Sequence, residues 1–215
     1  MEFKQSNLIK SLRIQPLIVL IRLEKDFFNT SRTSRKRKSL FLKIDELSTY
    51  GIKNIEIAWN PHPDWINLIS ELKIEYSSIN FGVASITSSQ SLDSILSLDM
   101  NYSMSPIFDK NIHLKAIEHN QLVIPGISNI ECFRDAINMG YKILKIFPAS
   151  HLGTNFIKKL LAEKEKDIFL IGAGGIKSQN LEELLSAGYD ALVIGRELRD
   201  QLPDKKLRIW LKNHR

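Results

Sequence analysis

Hydrophobic positions along the chain fall into short, β-branched runs separated by longer amphipathic stretches. Eight of the short runs read as strands: LIVLIRL (17–23), NIEIAW (54–59), SINFGVAS (78–85), NYSMSP (101–106), LVIPG (122–126), YKILKIFPA (141–149), IFLIGAGG (168–175) and ALVIGREL (191–198). Between them, KSLFLKIDELSTYG, HPDWINLISELK, SQSLDSILSLD, DKNIHLKAIEHN, SNIECFRDAINMG, TNFIKKLLAEKEK and SQNLEELLSAG carry apolar residues at helical spacing. Gly51, Gly140 and Gly188 stand just ahead of the next strand, where helices stop. Strand and helix alternating in this way predict parallel βαβ units. Eight such units predict a (β/α)8 TIM barrel of the α/β class, with a doubly wound open sheet as the competing architecture. No internal repeat or linker divides the chain, so a single domain over residues 1–215 is expected, ending in a helix at DKKLRIWLKNHR.

Composition supports a full-sized core, since 43% of the residues are hydrophobic. The net charge of +6 is uneven: residues 30–39, TSRTSRKRKS, hold five positive charges and no negative ones, leaving +1 for the rest. This segment is expected as a basic loop insertion at about 26–39, between the first strand and the first barrel helix. In a barrel that connection lies on the C-terminal face, where active sites are built. A solvated loop, a rim that attracts phosphates or acids, and a nucleic-acid patch all fit the charge. Nucleic acid is disfavoured because no aromatic residues interleave the basic ones. The single cysteine, Cys132, excludes an intrachain disulfide and a cysteine-rich metal site, and is expected as a buried small residue. The polar start MEFKQSNLIKSLRIQ lacks a signal-peptide core, and LIVLI (17–21) is too short to span a bilayer. A cytoplasmic protein with no membrane partner is expected.

Charged residues stand out on two of the apolar strands. In a barrel, alternate strand residues point inward and the others face the helices. With Leu144 and Ile146 toward the helices, Lys145 and Phe147 point inside. With Ile55 and Ile57 outside, Glu56 and Ala58 point inside. One account is a buried structural ion pair. The other is chemical: a desolvated lysine loses proton affinity, and its neutral amine attacks a ketone to form a Schiff base. The iminium then withdraws electrons from a neighbouring C–C bond, while Glu56 carries protons. Residue types alone leave both accounts open.

LKIFPA, IPGIS, GAGGI and IEIAW, together with the opening LIVLIRLEK, resemble the KDPG/KHG aldolases (2-keto-3-deoxy-6-phosphogluconate and 4-hydroxy-2-oxoglutarate aldolases), over about residues 10–200. The resemblance implies a class I lyase that cleaves a 2-keto-4-hydroxy acid to pyruvate and an aldehyde. It implies Lys145 as the Schiff-base lysine and Glu56 as the general acid/base. Phe147 and Pro106 would line the bound keto acid, and the Ser85 hydroxyl, where the family usually has threonine, would bind its carboxylate. A homotrimer without metal or organic cofactor is also implied. For a phosphorylated substrate, GAGGIKS supplies glycines that let backbone N–H groups approach an anion at a helix start. Gly174, Gly175 and Ile176, with Gly195 and Arg196 after the last strand, are the candidates; the competing account is a plain tight turn.

Three further positions depart from the family pattern. Asn60 stands where the family usually has an arginine that holds the substrate carboxylate, and an amide cannot replace a bidentate guanidinium. Ala173 replaces a threonine before the paired glycines, and Arg196 replaces a serine. Arg22, or an arginine of the basic segment, is the candidate for the missing charge. These departures leave the lysine and glutamate in place and open the choice of substrate. The alternative reading is a divergent barrel that acts on, or only binds, a different phosphorylated or keto-acid ligand.

Overall fold

The computed structural model describes residues 1–29, 33–163, 167–195, 198, 203 and 205–214. Its strands are β1 (Leu17–Ile21), β2 (Asn54–Ala58), β3 (Asn80–Ala84), β4 (Tyr102–Met104), β5 (Val123–Ile124), β6 (Gly126–Ile127), β7 (Ile143–Ile146), β8 (Phe169–Ala173) and β9 (Ala191–Ile194). The helices are α1 (Glu2–Ile14), α2 (Thr33–Thr49), α3 (Asp64–Glu75), α4 (Ser89–Leu98), α5 (Lys110–Glu118), α6 (Ile130–Asn138), α7 (Ala149–Glu163), α8 (Leu181–Ser186) and α9 (Lys205–Asn213).

All pairings are parallel, in the order β5-β4-β3-β2-β1-β9-β8-β7-β6. The two ends of that order, β5 and β6, are consecutive in the chain and separated only by Pro125. The sheet therefore curls into a nearly closed α/β barrel. The expected fifth strand is broken because proline has no N–H to give to a ladder. Closure is tight at this seam: a Cβ on Gly126 would stand 2.3 Å from the Pro106 carbonyl carbon.

The core is made of Ile, Leu, Val and aromatic residues between the strands and helices α1–α9, with Trp65, Phe133 and Tyr141 among its largest members. Gly51, Gly140 and Gly188 end helices with φ of 82°, 86° and 114°, a region that favours glycine.

Three features differ from the sequence expectation. The polar N-terminus forms helix α1, whose Leu8 and Leu12 are buried while its other side faces solvent. Its side chains tie down the entries to the strands. Gln5 donates to the Gly140 carbonyl at 3.2 Å and accepts from the Lys142 N–H at 2.7 Å. Gln15, just after the helix, does the same between Gly51 and Lys53. Ser11 donates to Asn54 Oδ1 at 3.0 Å, which also accepts from Asn80 Nδ2. Helix α1 thus caps the N-terminal end of the barrel.

Helix α2 begins at Thr33, so residues 33–39 of the expected basic loop are helical, while residues 30–32 lie outside the described residues. Part of its charge is matched locally: Lys36 pairs with Glu24 and Asp26, and Arg37 with Glu71. Cys132 is half-buried, because it sits at the margin of α6 while Phe133 takes the core position. No described helix is long and apolar enough to cross a membrane.

Candidate active site

Register fixes which side chains share the interior. Leu20, Glu56, Gly82 and Tyr102 lie side by side across β1–β4. Gly126, Lys145, Ile171 and Ala191 do so across β6–β9. Side chains in register across a parallel sheet point the same way. Glu56 is 0% exposed and Lys145 5% exposed. The alternation that puts Ile55, Ile57, Leu144 and Ile146 against the helices leaves both charged groups inside the same barrel.

Burial shifts the two groups in opposite directions. Desolvation raises the Glu56 carboxyl from 4.5 to about 7, against the pull of Lys145 and Arg22. Desolvation likewise lowers the Lys145 ammonium, with the Glu56 charge opposing the shift and Arg22 reinforcing it. Neither Glu56 oxygen has a hydrogen-bond partner among the described residues. Burial thus moves the carboxyl and the amine toward one another in proton affinity. A structural ion pair at contact distance is not what the barrel holds: no salt bridge joins Glu56 to Lys145.

The remaining site residues ring the C-terminal mouth. Lys145 Nζ lies 5.0 Å from the centroid of the half-buried Phe147 ring. Leu20 and Ala58, on the same inner face, are half-buried. Arg22 is exposed just past β1 and acts electrostatically on both Glu56 and Lys145. Ser85 follows β3 with φ 70°, an uncommon conformation for a non-glycine residue, and is half-buried. Pro106 is half-buried beside the Gly126 seam. Asn60 is turned to its own loop, where its Oδ1 accepts the His62 N–H at 2.9 Å. His62 in turn stacks on Phe28, with ring centroids 4.5 Å apart.

The glycine turn differs from the expected helix start. Gly174 and Gly175 have φ of 91° and 77°. A 3-10 turn, Ser178–Asn180, intervenes before the short helix α8, because Asn180 Oδ1 captures the Lys177 N–H at 2.9 Å. Both glycines are also places of close approach: a Cβ on Gly174 would meet Phe147, and one on Gly175 would stand 2.1 Å from Ser150 Oγ. Ile176 is buried. Gly195 packs against Leu20. Arg196 lies outside the described residues.

One interior residue escaped the sequence reading. Tyr102, fully buried, shares the inner face with Glu56, and its hydroxyl has no partner among the described residues. The signal was present as NYSMSP in register with FGVAS, but it becomes visible only once Gly82 is known to separate Tyr102 from Glu56.

The barrel thus holds a lysine and a carboxyl on its inner face, with a positive-φ glycine turn following β8. The family model for KDPG and KHG aldolases matches residues 31–206, and the chain belongs to that family. It is therefore an aldolase, a carbon–carbon lyase. Among curated relatives, the 2-dehydro-3-deoxy-6-phosphogalactonate aldolase of Escherichia coli (strain K12) is 26% identical over 149 residues, 69% of this chain and 72% of the relative. The 2-dehydro-3-deoxy-phosphogluconate aldolase of Treponema pallidum (strain Nichols) is 23% identical over 65% of this chain and 66% of its own. In three dimensions the fold matches the KDPG aldolase of Legionella pneumophila, solved with pyruvate captured as a covalent carbinolamine. That match has a TM-score of 0.74 at 18% identity, over 96% of this chain and 91% of the other.

Proposed function

We propose that this chain is a class I aldolase that cleaves a 2-keto-4-hydroxy acid to pyruvate and an aldehyde. The KDPG and KHG skeletons are the model substrates. The observation that carries the reading is the buried pair Lys145 and Glu56 on one interior face, the amine shifted down and the carboxyl up to about 7.

The neutral Lys145 amine adds to the C2 ketone. Glu56 protonates the carbinolamine hydroxyl, which leaves as water and gives the iminium. Glu56, now a carboxylate, takes the proton of the C4 hydroxyl. The C3–C4 bond then breaks, its electron pair passing into the iminium as an enamine while C4 becomes the aldehyde. Glu56 returns its proton to C3, and water hydrolyses the resulting iminium to release pyruvate and the free amine. A group poised near 7 serves both directions of transfer.

Arg22 is the candidate to hold the substrate carboxylate, because it is the cation at the mouth that senses both Glu56 and Lys145. Asn60, bonded within its own loop, serves as rim. Ser85 contributes a hydroxyl, and Phe147 and Pro106 an apolar wall. Gly174, Gly175, Ile176 and Gly195 form the phosphate side, with Arg196 assigned there from its sequence position alone. The active form is proposed to be a cytoplasmic homotrimer that needs neither metal nor organic cofactor.

The test is intact-mass spectrometry after pyruvate and borohydride, with peptide mapping. An adduct on Lys145 is the expected result. No adduct, from folded protein beside a working control aldolase, would replace this reading with a divergent barrel for another ligand, Asn60 being the first suspect.

A further inference from the structure

Tyr102 is an odd occupant of the barrel. Its ring is fully buried, and its hydroxyl has no partner among the described residues. A phenylalanine would fill the same space without an orphaned polar group, whose burial is unfavourable. The hydroxyl therefore calls for a physical account.

Register supplies one. Glu56, Gly82 and Tyr102 stand in line across β2, β3 and β4. Gly82 has no side chain, and a Cβ there would come within 2.3 Å of Tyr102 Cζ and 2.4 Å of Cε2. The far end of the phenol thus lies directly over Gly82, and its hydroxyl is carried onward toward β2. The β4-to-β2 distance is two strand spacings, about 10 Å. Extended tyrosine and glutamate side chains reaching toward one another cover that span. At the other end of it sit the two Glu56 oxygens, equally buried and equally without partner among the described residues.

We infer that Tyr102 is a positioning residue for Glu56: its hydroxyl donates to the Glu56 carboxylate through one bridging water and holds that carboxylate ready as a base. The inference rests on the reading of Glu56 as the proton shuttle. Burial and the neighbouring Glu56 charge raise the phenol far above its usual range, so it stays a donor throughout the working pH. The charged groups that act on Glu56 are Lys145 on β7 and Arg22 after β1. Both favour the carboxylate, and Tyr102 adds a neutral donor from the opposite wall. A donor to the charged form lowers a carboxyl pKa. Tyr102 thereby offsets part of the upward push of burial.

The test follows deuterium exchange into the pyruvate methyl group by proton NMR across pH, with borohydride trapping in parallel, for wild type and Tyr102→Phe. The yield of trapping at equilibrium reports the Lys145 Schiff base however slowly Glu56 delivers its proton, whereas the exchange rate follows the Glu56 proton step itself. The trapped yield should be unchanged. Exchange near neutral pH should fall about tenfold, the effect of losing one hydrogen bond to a charged group. Its acidic limb should move up by about one pH unit. An unmoved limb with undiminished exchange overturns the inference. Should wild type neither trap nor exchange, the aldolase reading fails separately. The Tyr102–Glu56 link is then decided by carbon-13 titration of the Glu56 carboxyl in both proteins, where an identical midpoint refutes it.

Discussion

Lys145 Nζ stands 5.0 Å from the centre of the Phe147 ring, two residues further along the same inner face. The face of an aromatic ring attracts an ammonium by about 0.5–2 kcal/mol. Phe147 therefore favours the protonated lysine while burial opposes it. Replacing the ring with Phe147→Leu removes only the attraction to the charged form. The pH at which pyruvate becomes trappable should drop by up to about one unit. An upward movement would mean that the ring acts chiefly by excluding water.

Glu56 links function to stability with a definite sign. Its carboxyl titrates near 7 in the fold, raised from 4.5 by burial. Between those values the native state holds a proton that the unfolded chain has released. Native stability therefore declines as pH rises through that window, and the whole penalty is present above it. Glu56→Gln should abolish exchange and turnover, yet melt higher than wild type at pH 8. The gain should be at most about 3 kcal/mol, shrinking toward nothing near pH 4. Melting curves at the two pH values decide this; a variant less stable at pH 8 would mean that Glu56 is well satisfied as an anion.

Arg22 is exposed, so its removal should leave the melting temperature unchanged. Loss of a charge-assisted contact to a carboxylate removes about 1.5–3 kcal/mol, so Arg22→Gln should weaken pyruvate capture roughly 10- to 150-fold. Concentration-dependent trapping measures it. Asn60→Arg in that background should recover part of the loss if the family's usual anchoring position still faces the ligand; no recovery assigns the carboxylate to another cation.

The glycine turn can be probed without touching the lysine. Gly175→Ala forces a side chain onto a backbone with φ 77° and onto Ser150 Oγ. A fold destabilised by about 1–2 kcal/mol is expected, the cost of a left-handed backbone for a residue with a Cβ. KM for a phosphorylated donor should rise, while pyruvate trapping persists. Equal KM for phosphorylated and unphosphorylated donors, before and after substitution, would make this a plain turn.

Much of the site was legible because strand alternation is local. Once Leu144, Ile146, Ile55 and Ile57 are assigned to the helices, Lys145 and Glu56 have only the interior left to face. What escaped depended on relations between segments. Tyr102 gains meaning only through Gly82, twenty residues earlier and one strand away. Asn60 reads as a lost anchor until His62 is seen to occupy its oxygen. Helix α1 was hidden by its polarity, since only Gln5, Leu8 and Leu12 turn inward. Helix α2 was read as starting late because its first turns are crowded with basic residues, a pattern that resembles a solvated loop.

Helix α1 has a consequence for the order of events. Its Leu8 and Leu12, with the Ser11–Asn54–Asn80 chain of hydrogen bonds, stopper one end of the barrel. Among the described residues, that leaves the C-terminal end as the side from which Lys145 is approached. Under the proposed chemistry, the fragment tethered to Lys145 would sit deepest in such a blind-ended vessel and the fragment cut from it nearest the exit. The tether and the closed end would then act together, so that the aldehyde departs first and pyruvate after it.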